Sequence, residues 1–242
     1  MDPMEPTDNW WYSPQTTLVF ADRAMGPYAA EGTEPPGELK KAVDEGRTGA
    51  LFALGLAKFF GAETWMRLVD PSEQAPDIRI MYLEGSGPKG SNVLREMKVE
   101  VTTYTKHSTE PLGDFLFRVK LNPTKKAYSS TTAIVAFVQR AITPDEVRAV
   151  TPRLGALGAK GLCYVVGRMD QTRFQVVRVF PTFGGPQTID LDEEFTSSQM
   201  PVVELKRGMS SVTKVTEDPI STDNPFLKRA LGPGERSVHA DG

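Results

Sequence analysis

The segment from Thr132 to Val138 reads TAIVAFV, an unbroken apolar run. A strand with one wet face alternates apolar and polar residues, whereas a strand covered on both faces is apolar throughout. This run is of the second kind, and it constrains the fold more than any other stretch. A sheet that holds it needs helices packed on it, and the chain offers them. Glu38 to Phe60 follows Pro35-Pro36-Gly37, places Leu39, Val43, Leu51, Leu54 and Ala57 near helical spacing, and ends at Gly61. Gly46 and Gly49 are expected to break this helix into two pieces. Leu112 to Lys120 sets Leu112, Phe115, Leu116 and Val119 on one helical face, ended by Asn122-Pro123. Thr143-Pro144-Asp145-Glu146 combines a capping threonine, proline at the first helical position and glutamate at the third, ahead of Val147, Val150 and Leu154.

Strand patterns fill the intervals. Trp65 to Val69 and Asp77 to Leu83 flank the turn signal Asp70-Pro71-Ser72. Val93 to Tyr104 alternates Met97, Val99 and Val101 with Glu96, Lys98, Glu100 and Thr102, and Gly85 to Gly90 is the turn before it. Leu162 to Val166 and Phe174 to Phe180 follow the third helix. The order is helix, three strands, helix, strand, helix, two strands. A meander followed by crossover helices implies an α/β fold with a mixed sheet flanked by helices.

The chain of 242 residues, 39% hydrophobic and 24% charged, suits one core with loose ends. Residues 1–37 read as a partly extended N-terminal arm with Trp10, Trp11 and Tyr12 folded back on the domain. Residues 38–205 form that domain, and 206–242 read as a polar, disordered tail carrying Asn224-Pro225-Phe226. Arm and tail are the segments suited to a protein partner, and homodimerisation is compatible with the chain. No apolar run approaches the ~20 residues of a membrane helix, and the N-terminus lacks a signal-peptide pattern, so a cytoplasmic protein without a membrane partner is expected. Cys163 is the single cysteine, which excludes an internal disulfide and a cysteine zinc site within one chain. Its apolar surroundings make it a buried strand thiol.

A net charge of −3 argues against a surface coated for nucleic acid, yet Arg118, Lys120, Lys125 and Lys126 cluster locally, with Lys106 and His107 upstream. This is either a solvated face or a rim that contacts phosphates. His107 and His239 are too few and too far apart for a histidine metal site. The Gly85 to Gly90 segment lacks the Gly-Lys-Ser/Thr ending of a phosphate loop and joins strand to strand.

The chemistry concentrates between Pro76 and Thr102. Acidic side chains on adjacent strands can build an oxygen-ligand metal site for phosphodiester cleavage. Asp77 opens one strand, and Glu96, Lys98, Glu100 and Thr102 share a face of the next. The bland alternative is an antiparallel pair with one wet face. The order αβββαβ, with Pro76-Asp77 on the second strand and Glu96-Met97-Lys98 on the third, resembles the PD-(D/E)XK superfamily of restriction-endonuclease-like nucleases over roughly residues 38–138. The resemblance implies that two acids bind Mg²⁺ or Mn²⁺, that a lysine serves the attacking water, and that DNA is cut.

Register divides the assignment. A turn centred near Pro88 sets Asp77 across from about Val99, with Glu96 ~10 Å further along. Read literally, the motif gives Asp77 and Glu96 as metal ligands and Lys98 as the lysine. Shifted, it gives Asp77 and Glu100, with Thr102 in the lysine's place and the amine supplied by Lys98, Lys120, Lys125 or Lys126. Lys120, Lys125 and Lys126 are also the candidate nucleic-acid contacts. Glu45 resembles the extra acid that some relatives carry on the first helix. The expected function is a metal-dependent nuclease; the alternative is an inert nuclease-like fold that acts as a protein-interaction or nucleic-acid-binding module.

Overall fold

The computed structural model describes residues 10–68, 76–84, 93–140 and 142–195, together with the short strands 202–204 and 213–215. The turns at 70–72 and 85–90 and the tail from 206 on, with His239 and Asn224-Pro225-Phe226, lie outside the described residues, except for 213–215, which form a strand where disorder was expected. Among the described residues ten strands form one sheet in the order β10-β9-β1-β2-β3-β4-β5-β6-β7-β8. These are β1 (Trp10–Tyr12), β2 (Thr64–Leu68), β3 (Ile78–Glu84), β4 (Val93–Tyr104), β5 (Thr132–Val138), β6 (Leu162–Arg168), β7 (Arg173–Phe180), β8 (Gln187–Asp190), β9 (Val202–Glu204) and β10 (Thr213–Val215). The helices are α1 (Pro14–Glu31), α2 (Gly37–Phe60), α3 (Leu112–Leu116), α4 (Pro144–Ala156) and α5 (Leu191–Glu194).

The sheet is mixed, because β5 runs parallel to both β4 and β6 while the other neighbours are antiparallel. The apolar run in β5 is buried on both sides. Ala133 and Val135 join one core with Phe52 and Leu56 of α2, and Ile134, Ala136 and Val138 join a second with Leu116, Val150 and Leu154. Helices therefore cover both faces of this strand, as its composition requires.

Helix α2 is continuous where two glycines predicted a break. A Cβ on Gly49 would stand 2.2 Å from Ile78 Cδ1, and one on Gly55 would stand 2.7 Å from Val176 Cβ. The bare glycines let the helix lie against the sheet, and that contact outweighs their low propensity. Residues 14–31, expected within an extended arm, form a helix. Ser13 caps it by accepting the Thr16 N–H at 3.1 Å, Pro14 begins it, and Gly32 ends it at φ 66°. Leu18, Phe20, Ala21 and Ala24 of α1 bury themselves in the α2 core. Tyr12 and Trp11 are buried as well, in a strand that pairs with β2 and β9. The expected capping box opens α4, with Thr143 and Glu146 each accepting the other's backbone N–H. Among the described residues no helix is long and apolar enough to cross a membrane.

Candidate functional site

The long strand β4 outlasts its partner. β3 begins at Ile78, opposite Val99, so residues 100–104 of β4 run on beyond it while still pairing with β5 on the other edge. Asp77 stands at this point, one residue before β3, and its Oδ2 accepts the Val101 N–H at 2.8 Å. Extending the register by one pair sets Asp77 against Glu100. Both belong to the sheet face opposite the α2 core, since Ile78, Val99 and Val101 all point into that core.

Glu100 is a buried carboxylate with its side chain only 5% exposed. Such a charge needs partners, and it has three. Lys120 Nζ lies 2.8 Å from Oε2, Lys126 Nζ 2.9 Å from Oε1, and the Tyr128 hydroxyl donates to Oε2 at 3.3 Å. Burial pushes the Glu100 carboxyl up, but the two ammonium groups together outweigh burial and hold it below its ordinary value. Burial pulls Lys126 down, and Glu100 more than restores it, so its ammonium is held above the ordinary lysine value. Lys120 comes from a π-helical turn, Phe117–Leu121, that continues α3. Turns of this kind recur at functional sites. Lys126 and Tyr128 come from the connection between that turn and β5, with Lys126 Nζ 4.7 Å from the Tyr128 ring centre.

The other candidates stand apart. Glu96 pairs with Arg79 at 2.8 Å, four residues up β4 from Glu100, or about 13 Å at strand rise. Lys98 is exposed beside it, across from Arg79. Lys125 Nζ reaches the Arg118 carbonyl at 3.5 Å. His107 is exposed, and Cys163 is buried, its thiol pushed far up by burial. The register sets Asp77 against Glu100, side-chain contacts bring Lys120 and Lys126 to Glu100, and Glu96 stands apart on Arg79.

A cleft of about 340 Å³ opens along the free end of β4, between Val101, Thr102 and Thr103 and the residues Lys40, Lys41, Asp44 and Glu45 of α2. Glu45 is buried, with Lys41 Nζ 3.7 Å away. Burial raises the Asp44 carboxyl against the pull of Lys40 and Arg47. Val101 connects the two regions, because Asp77 holds its N–H and it also lines the cleft.

Mg²⁺ keeps several waters and takes one or two carboxylates, so Asp77 and Glu100 are a donor set of the right kind for it or for Mn²⁺. Among the described residues no group of three or more His, Cys, Asp or Glu side chains could cage an ion on its own. An ion on this pair would have to share Glu100 with two ammonium groups or displace one. Sequence reasoning missed Tyr128, which carries no motif and reaches Glu100 from a loop 28 residues away in the chain.

No protein-family model matches this chain, and neither a curated protein nor a solved structure shows significant similarity to it. Its fold and site are read from its own residues.

Proposed function

We propose that the protein is a metal-dependent nuclease of the PD-(D/E)XK kind that hydrolyses phosphodiester bonds of DNA. The observation that carries this reading is the strand register, which sets Asp77 against Glu100 at the free end of β4, with Lys120 on Glu100, inside the order α2-β2-β3-β4-α3-β5. Asp77 and Glu100 would hold the ion, and the chemistry it would supply there is polarisation of a phosphoryl oxygen and acidification of water. The Val101 N–H fixes the Asp77 carboxylate in place before any ligand arrives. Lys120 supplies the amine that Thr102 lacks, and holds a water or a phosphoryl oxygen by charge and hydrogen bond. Lys126 extends the positive rim toward solvent, its side chain 48% exposed.

Two observations favour a second reading, an inert module of this shape that binds protein or nucleic acid. Thr102 stands two residues after Glu100, and both Glu100 oxygens are engaged by lysines. Purified protein incubated with Mn²⁺ or Mg²⁺ and plasmid or single-stranded DNA separates the two. On the nuclease reading Asp77→Ala and Glu100→Ala each lose at least about 100-fold in cleavage rate, and Glu96→Ala stays near wild type. Undiminished cleavage by Asp77→Ala sinks the site, and absence of cleavage on every DNA and RNA tested selects the module.

A further inference from the structure

Two ammonium groups sit on Glu100, and with Asp77 alongside, the two carboxylates and two lysines balance, so a divalent cation brings charge that nothing offsets. Lys120, its side chain 22% exposed, is the more enclosed of the two lysines. Lys126 comes from an exposed loop. In the position where it bonds Glu100, Lys126 Nζ also lies 4.7 Å from the centre of the Tyr128 ring. A divalent cation approaching Asp77 and Glu100 meets two ammonium groups already on one of its ligands. Like charges at this range disfavour the ion until an anion joins them or an ammonium leaves.

We infer that Lys126 is parked on Glu100 as a receiver for phosphate, so that a phosphodiester anion and a divalent cation bind this site with positive cooperativity. The anion draws Lys126 Nζ off Glu100 Oε1, and the freed oxygen accepts the ion. Lys120, on its helical turn, keeps Oε2 and stays near both ligands. By linkage the coupling is reciprocal, with the cation strengthening phosphate binding by the same factor as phosphate strengthens cation binding. The inference rests on Asp77 and Glu100 being the metal pair. Its opposite is a Lys126 that merely neutralises a buried carboxylate. In that case removing it weakens the fold and leaves ion binding no better.

The test is a Mn²⁺ titration of the whole protein, followed by loss of the free-ion electron paramagnetic resonance signal, with and without millimolar dimethyl phosphate. Wild type is expected to bind Mn²⁺ at least about fivefold more tightly when dimethyl phosphate is present. Lys126→Gln is expected to bind Mn²⁺ several-fold more tightly without phosphate and to lose most of the phosphate effect. Lys160→Gln, at an exposed position between α4 and β6 and away from the site, should match wild type in both. Equal Mn²⁺ affinity with and without dimethyl phosphate, or weaker binding by Lys126→Gln, overturns the coupling and leaves the metal pair standing. Mn²⁺ binding that Asp77→Ala leaves unchanged, or no Mn²⁺ binding by wild type at all, removes the metal pair and the coupling together.

Discussion

At the scale of single residues, the decisive group is Glu100. A carboxylate this deeply buried is tolerated because two ammonium groups and a phenol hydroxyl meet it. Its carboxyl is held below the ordinary value of 4.5, so the stability it contributes is fully present above that pH. That contribution is lost as pH falls through the lowered folded value. Denaturant unfolding of wild type and Glu100→Gln from pH 7 to pH 3 should show wild type more stable by about 1–3 kcal/mol at pH 7. The gap should close below pH 4.5, and a gap independent of pH would mean that the lysines contribute nothing to its ionisation. Residue type and spacing alone left Glu96 and Glu100 as rivals for the second acid. Both are glutamates on the same face of one strand, and only the pairing of Ile78 with Val99 separates them.

Among the elements, α2 shows how a local signal can mislead. Glycine reads as a helix breaker because it costs about 1 kcal/mol against alanine in an open helix. In α2 the same lack of a side chain allows contact with Ile78 and Val176. Gly55→Ala should therefore destabilise the protein by about 1–3 kcal/mol, although alanine is the better helix former. A stabilised variant in thermal unfolding would show that the helix has room to retreat from β7. Gly49 matters to the site as well, since it faces Ile78, the residue after Asp77. The capping box of α4 was legible in full, because its information is contained in four consecutive residues. Glu146 is held down to about 2, first by the Arg140 guanidinium and then by the Thr143 N–H. The helix α1 was missed because Pro14, Gly26 and Pro27 resemble a loop composition, while its stability comes from burying Leu18 and Phe20 against α2.

At the scale of the whole molecule, Tyr12, Leu18, Phe20, Ala21 and Ala24 make the N-terminal strand and helix part of the core. Phe20 is 1% exposed and meets Tyr12 edge to face with ring centres 6.3 Å apart. Phe20→Ala should cost about 3–5 kcal/mol in chemical denaturation, and a loss within about 0.5 kcal/mol would mean that α1 is an appendage. The strands β9 and β10 continue the sheet beyond β1, so chain from both ends of the described structure meets at one side. Pairing of this sort has no local signature, because β9 and β10 are short and their partners lie far away in the chain.

The sequence by itself determined most of the element order, the double coverage of β5, the cap of α4 and Asp77 as a site candidate. Each of these depends on periodicity or on turn and cap chemistry within a few neighbouring residues. Only the tertiary structure set Glu100 and not Glu96 against Asp77, brought Lys120, Lys126 and Tyr128 onto one carboxylate, and set α1 in the core. Those outcomes depend on strand register and on loop residues that become neighbours only when distant segments pack.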